Sequence, residues 1–484
     1  MKKTLSLFLA FLMLLGLPAA AISCSTNGDG GETTVQTTAA ADTDAPEETE
    51  PEMTVAVEDF SKNGQPRPFR MLVRSNRYSY LYVEEASGNP VEYAVYRRNL
   101  NLEEQYGIRF EITEGKGTKS SEKDNFVTFL AGATSDFDLV CFDYWWNLEL
   151  QGMFLNILEM PEIDPDDEWW YQGWNSNVTL NGRMFSIAGD ANLEMLENLE
   201  VVFFNKNIAA DRSLDLYGDV NSGNWTIERM IEVINTVSSG LDDTDPTNDV
   251  YGVLYDTHSV GSQLFSAGIR MSELNADNVN LDIASSSRNV DICDLLGRMM
   301  QLPGVDYNSA TARARDWSLF RDHRSLMYAT ALYLGQSLRT ANLDFDYGIL
   351  PMPKYTVEDE YVSSPYGVSV FAIPVTVSDP HVSAMVLNAM NFASARGDDS
   401  LVTTFYDIVL KYQIADSVED VGVLEMVRDN VYVDFAYIYD GNLGLLATFK
   451  DAMVKGTPVS AALKGRVNGA KIALEKQVTA PYYD

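Results

Sequence analysis

The sequence predicts an α/β protein in two lobes, each a mostly parallel sheet flanked by helices, with a ligand cleft lined by aromatic faces. Three observations carry this. Between Phe69 and Phe142 the pattern runs strand, helix, strand, helix, strand, as in a parallel sheet covered by helices. At 484 residues and 46% hydrophobic content the chain exceeds one ordinary domain of roughly 100 to 200 residues and can fill more than one core. Five of the seven tryptophans fall between Phe137 and Trp174, directly after an apolar run, Phe137–Phe142, that reads as a buried strand. Residues past the carboxyl end of such a strand lie where open α/β sheets bind ligands.

The chain opens on Lys2 and Lys3, an apolar run from Leu5 to Leu17 and then Ala19, Ala20 and Ala21. That order is a secretory signal, and its apolar core is too short to span a bilayer as a helix. Residues 1–23 are therefore read as a leader. Ala21-Ile22-Ser23-Cys24 is similar to the bacterial lipobox, in which the cysteine is acylated, although Ala21 stands where Leu is usual. Residues 24–66 carry Gly, Thr, Ala, Asp, Glu and Pro with few large apolar side chains, the composition of a disordered tether behind a lipidated Cys24. The formal charge of −35 argues against nucleic acid, whose binding is driven by phosphate neutralisation. Cys141 and Cys293 sit on apolar segments and read as buried free thiols.

Phe69–Arg74 reads as the first strand. Asn89, Pro90 and Glu92 form a helix start, with Asn as cap, and Gly107 is its stop. Ile108–Ile112 is the second strand, Lys123–Ala131 a helix and Phe137–Phe142 the third strand. A helix to Gly152 follows the aromatic loop, then a hairpin-like signal over Leu180–Ile187 and a strand over Leu199–Phe204. Thr226 caps another helix, with Trp225 and Met230 at the two positions of a hydrophobic staple. Tyr251–Tyr255 is a strand, Asn289–Met300 a helix, and Ser325–Leu334 an apolar segment expected to lead back to the first lobe. Val368–Ile373 is a strand, Asp379-Pro380 caps a helix through Met390, and the tail from Leu401 is helical. The expected partition is 67–180 and 325–392 for lobe one, 181–324 and 393–484 for lobe two.

No catalytic constellation emerges. His258, His323 and His381 match no triad or metal spacing, and the sequence lacks G-x-S-x-G, H-E-x-x-H, Walker and C-x-x-C motifs. Asp143, Asp190 and Asp256 could pair as glycosidase carboxylates, but with 70 acidic residues such pairs arise by chance. Asp243-x-Asp245-x-Thr247-x-Asp249 resembles a calcium loop only faintly, since Asn248 replaces the turn glycine. No metal or cofactor is expected. Aromatics with Asp, Asn and Arg suit a sugar, which offers C–H faces and hydroxyl edges.

In sequence order, Asn99–Ile108, Asp136–Val140, Met160–Trp170, Gly182–Asp190, Val201–Lys206, Trp225-Thr226, Asp346–Pro353 and Ser369–Pro374 resemble the carbohydrate-type extracellular solute-binding proteins of ABC importers, typified by maltose-binding protein. The resemblance implies a type II periplasmic-binding-protein-like fold with the cleft at the hinge, a carbohydrate ligand, permease subunits as partners, a monomer, and no catalysis. It places Asn76, Tyr78, Tyr144, Trp145, Trp146, Asp190 and Tyr333 at the cleft, with Trp170, Asp256, Trp317 and Tyr366 as further candidates. Trp145-Trp146 replaces the maltose binder's charged pair, which argues against maltose itself. A secreted carbohydrate-active enzyme and a surface adhesion or scaffold protein are the rival readings.

Overall fold

Two sheets organise the computed structural model, which describes residues 54–75, 78–132, 136–241, 248–256, 258–281, 283–307 and 317–483. The first joins β1 (Arg67–Val73), β2 (Ile108–Glu114), β3 (Leu139–Asp143) and β11 (Ser369–Ala372) in the order β11-β3-β1-β2. Its first three strands are parallel and β11 is antiparallel. The second joins β4 (Glu200–Asn205), β5 (Tyr251–Tyr255), β8 (Val305–Tyr307), β9 (Ser325–Ala331) and β10 (Tyr347–Pro351) in the order β10-β4-β9-β5-β8. A separate hairpin pairs β6 (Ser272–Asn275) with β7 (Asn278–Leu281).

The caps predicted at Asn89, Gly107 and Thr226 form. In α1 (Pro90–Tyr106) the Asn89 side chain accepts from the Val91 and Glu92 N–H groups, and Gly107 leaves the helix at φ 59°, a conformation that costs glycine little. α2 (Lys119–Ala131) then crosses back to β3. Thr226 accepts from Arg229 N–H at the head of α3 (Ile227–Val237), and the stapling residues Trp225 and Met230 are wholly buried. Trp225 also donates its indole N–H to the Pro351 carbonyl at 2.9 Å, so it is structural. α4 (Ser259–Ser266), α5 (Ser287–Met300) and α6 (Pro380–Ala395) complete the longer elements used below. Asp379 precedes Pro380 as expected but makes no side-chain cap bond.

Several expectations are corrected. The segment after Asp143 forms 3-10 turns at Tyr144–Trp146 and Leu148–Gln151, with Asn147 between them at φ 50°. The tail is helical, but Phe405–Ile414 and Leu474–Val478 are π-helical. Ser325–Ala331 does not return to the first sheet. It is the centre of the second, antiparallel to β4 and parallel to β5, and β10 joins the same sheet. An apolar run buried on both faces suits the centre of either sheet, so hydrophobicity could not choose between them. The chain re-enters the first sheet only at Ser369. At the other boundary, Ile187 still bridges Phe371 of the first sheet, beyond the expected limit at 180.

Three stretches of chain run side by side between the sheets. Leu199 bridges Pro365, and Ser363 bridges Val431. Thr54–Asp484 forms one compact unit around both sheets. Cys141 and Cys293 are buried free thiols. Cys24 and the residues Asp243, Asp245 and Thr247 of the acidic turn lie outside the described residues.

Candidate functional site

Strand direction brings one end of each sheet to the same place. On the first sheet these are the carboxyl ends of β1 and β3, and Ser369, which pairs with Asp143. On the second they are the carboxyl ends of β5, β9 and β10, and Glu200, which pairs with Ala331. The connecting segment Glu194–Glu197 and the stretch around Tyr366 lie between, with Tyr366 N–H donating to the Asn198 carbonyl and Tyr333 N–H to that of Glu197.

Aromatic rings from both sides meet here. Tyr144 stacks on Trp145 with centroids 5.0 Å apart, and Tyr437 meets Trp145 edge-on at 5.0 Å. Tyr437 also packs edge-on against Phe265 of α4, the helix that follows β5 of the second sheet. Tyr144 is buried and Trp145 half-buried, its indole N–H enclosed without a hydrogen-bond partner. Burial, with Tyr437 and then Asp143 beside it, holds the Tyr144 phenol far above its ordinary range. His258, just past β5, lies flat on Tyr366.

The polar floor is acidic. Arg74, at the end of β1, lies 3.2 Å from Asp143 and 3.8 Å from Glu194, and both carboxylates are fully buried. Glu194 accepts from Ser369 N–H at 2.7 Å, and Asp143 from Trp145 N–H at 3.0 Å. Across the site, Glu200 accepts from the Ser259 hydroxyl at 2.6 Å, and Asp256 lies 3.9 Å from His258 Nε2. Asp440 accepts from Leu445 and Leu446 N–H groups. Burial lowers the Lys450 ammonium pKa, opposed by Asp440, Glu200 and Asp256 around it.

The predicted residues divide accordingly. Tyr144, Trp145, Asp256, Tyr333 and Tyr366 line the meeting place. Trp146 is buried in the first body against Phe126, and Trp170 is buried where its backbone bridges Gly189, so neither offers an open face. Trp317 packs by Arg321 at the head of a short helix, apart from the cluster. Asp190 joins a second group: burial pushes its carboxyl up to about 7 despite the opposing bond from Tyr171, with Arg428 and Glu168 near. Asn76 lies outside the described residues, and of Tyr78 only the backbone, at the start of a 3-10 turn, is described. Arg74, Glu194, Glu200, His258 and Tyr437 were not foreseen. Only Arg74 carried a signal, as a charged residue ending an apolar strand; the others are set by contacts across tens to hundreds of residues. A cavity of about 740 Å³ lies elsewhere, between α1 and α6. Among the described residues no His, Cys, Asp and Glu group is arranged to hold a metal.

No protein-family profile matches the sequence, and no curated protein matches it. Solved structures do. An ABC substrate-binding protein from Listeria monocytogenes in complex with cycloalternan aligns with a TM-score of 0.54 at 12% identity, covering 85% of this chain and 99% of that one. A cyclo/maltodextrin-binding protein complexed with maltotetraose gives 0.59 at 12% identity, over 86% and 99%. UgpB from Mycobacterium tuberculosis in complex with glycerophosphocholine gives 0.55 at 13% identity, over 85% and 99%. The chain is built on the two-lobed, type II fold of the solute-binding proteins of ABC importers.

Proposed function

We propose that this chain is an extracellular solute-binding protein that captures a carbohydrate, an oligosaccharide in our reading, and presents it to an ABC permease. One observation carries the proposal: aromatic rings and buried carboxylates from two sheets converge at the strand ends, beside three adjacent crossing stretches of chain suited to a hinge. Rings supply platforms for sugar faces, and carboxylates accept from hydroxyl edges. The neighbours bound to cycloalternan and maltotetraose support the ligand class. Separation of the two bodies about the crossings admits ligand, and closure presents a form the permease recognises.

The site we assign contains Tyr144, Trp145, Asp256, Tyr333 and Tyr366 from the sequence reading, with Arg74, Glu194, Glu200, His258 and Tyr437 added. Lobe one takes the first sheet with α1, α2 and α6; lobe two takes the second sheet with the helices after about residue 405. The chain acts as a monomer held to the outer face of the membrane by acylated Cys24. No described helix is long and apolar enough to cross a membrane.

Thermal-shift measurement against a panel of sugars, glycerophosphocholine and short peptides tests the reading. A sugar that raises Tm without being converted supports it, by mass action on the folded state. Product formation favours the enzyme, no shift with any solute favours the scaffold, and a shift with another solute alone keeps the receptor and discards the sugar.

A further inference from the structure

Just past the aromatic turn, two buried polar residues have hydrogen-bonding capacity left over. Asn147 holds the left-handed conformation at φ 50°, which is uncommon outside glycine, and its side-chain oxygen has no hydrogen-bond partner. Glu149 is 3% exposed, and its Oε2 atom is likewise unpartnered. Enclosing a carboxylate in this way is costly, because burial penalises the charged form and spares the neutral acid.

Both residues lie on a seam that continues from the candidate site. On one side are the turn Leu148–Gln151 after β3 and the loop around Asn181, which runs on to Ile187 beside Phe371 of the first sheet. On the other are Phe435–Leu443 and the last residues of the chain. Asn147 donates to the Asn442 side chain at 3.1 Å, Asn181 donates to the Tyr482 carbonyl at 2.9 Å, and Phe185 packs on the Tyr482 ring. The Tyr439 and Tyr482 hydroxyls, 2.7 Å apart, face Glu149. The far side is tied away from β3: Asp434 accepts from Met271 and Ser272 N–H groups, and Tyr437 packs on Phe265 of α4. The contact of Tyr437 with Trp145 belongs to the same seam.

The burial of Glu149 therefore depends on what stands across the seam. It raises the carboxyl from 4.5 to about 7, against smaller opposing effects of its own backbone N–H, the Tyr439 hydroxyl and the Lys123 ammonium of α2. Tyr482 faces it as a neutral phenol.

We propose that Glu149 couples closure to protonation: bringing the two sides of the seam together takes up one proton from water at this carboxyl, and parting them releases it. Solute capture then strengthens as the surroundings acidify. This rests on the hinged-receptor reading above. The opposition to closing is absent below the ordinary carboxyl value, grows as pH rises from there to about 7, and is constant above. Within that window the ratio of closed to open forms changes by at most about tenfold per pH unit.

Spin labels at exposed Leu100 on α1 and exposed Ile472 on the helix Val459–Ala473, which packs on α5, report the separation in the mature chain. The short-distance fraction is expected to fall as pH rises from about 5 to about 7 and to level off above. E149Q, a neutral amide of the same shape, should keep the acid-side ratio throughout. Y439F strips a hydroxyl that favours the carboxylate and should carry the response to higher pH. A distance that changes with a sugar, glycerophosphocholine or a peptide but not with pH, or a wild-type response that persists in E149Q, overturns the proposal and leaves the receptor. One distance at every pH, unmoved by any of those solutes, overturns the hinge and this inference with it.

Discussion

The imidazole of His258 lies on the phenol ring of Tyr366 with centroids 3.4 Å apart and planes 18° from parallel. The contact joins His258, three residues past β5, to the crossing chain, so it links the second sheet to the crossings. Replacing either residue by Ala is expected to weaken ligand binding by roughly tenfold, at the upper end of the 0.5–1.5 kcal/mol typical of ring pairs. Titration of H258A and Y366A checks this; wild-type affinity in both would place the ligand elsewhere.

Trp145 and Trp225 separate function from structure. W145A and Y333A should lose affinity while remaining folded, because both residues are only half-buried. W225A removes a wholly buried ring and its bond to Pro351, and should cost about 3–5 kcal/mol of stability. Denaturant unfolding alongside ligand titration distinguishes the two outcomes.

Asp190 offers a stability test with a definite sign. Burial raises its folded carboxyl from 3.8 to about 7, so folding favours the protonated acid. The associated penalty is absent below the unfolded value, grows as pH rises between the two, and is complete above the folded value. D190N should therefore stabilise the protein above pH 7, by no more than about 4 kcal/mol at about 1.4 kcal/mol per unit, and less after screening by solvent. The gain should vanish towards pH 4. Melting temperatures of both proteins across that range provide the check.

His381 behaves in the opposite direction. Glu162, 2.6 Å away, and then Glu58, 3.1 Å away, raise its pKa above the ordinary 6.5. Its stabilisation is complete below the pH at which the unfolded imidazole titrates, and is lost as pH rises through the folded value. The difference in Tm between wild type and H381A should shrink as pH increases. The group is well exposed, so the effect should be small.

Local signals survived best. Asn89-Pro90, Gly107 and Thr226 act within four residues of themselves, and the backbone obeys them. Strand membership did not, because the apolar run of β9 suits the centre of either sheet. The site was half legible. Tyr144 and Trp145 follow a strand end and could be found from that position, but Trp146 beside them turns inward to Phe126, which no spacing announces. Tyr437 meets Trp145 across nearly three hundred residues of chain, and Glu194 reaches Arg74 from a connecting segment that no strand pattern marks as part of the site.

The segment entering at Thr54 is moored to α1 and α6. The Tyr106 hydroxyl donates to the Ala56 carbonyl at 2.6 Å, Phe60 N–H donates to the Tyr106 carbonyl at 2.8 Å, and Phe60 packs edge-on against His381. Both helices belong with the first sheet. A pull on the chain from its amino-terminal side is therefore borne by that body before it reaches the crossings. Under the anchoring and hinge proposed above, the first lobe would be the frame and the second the door, with Tyr437 carried on the part that swings.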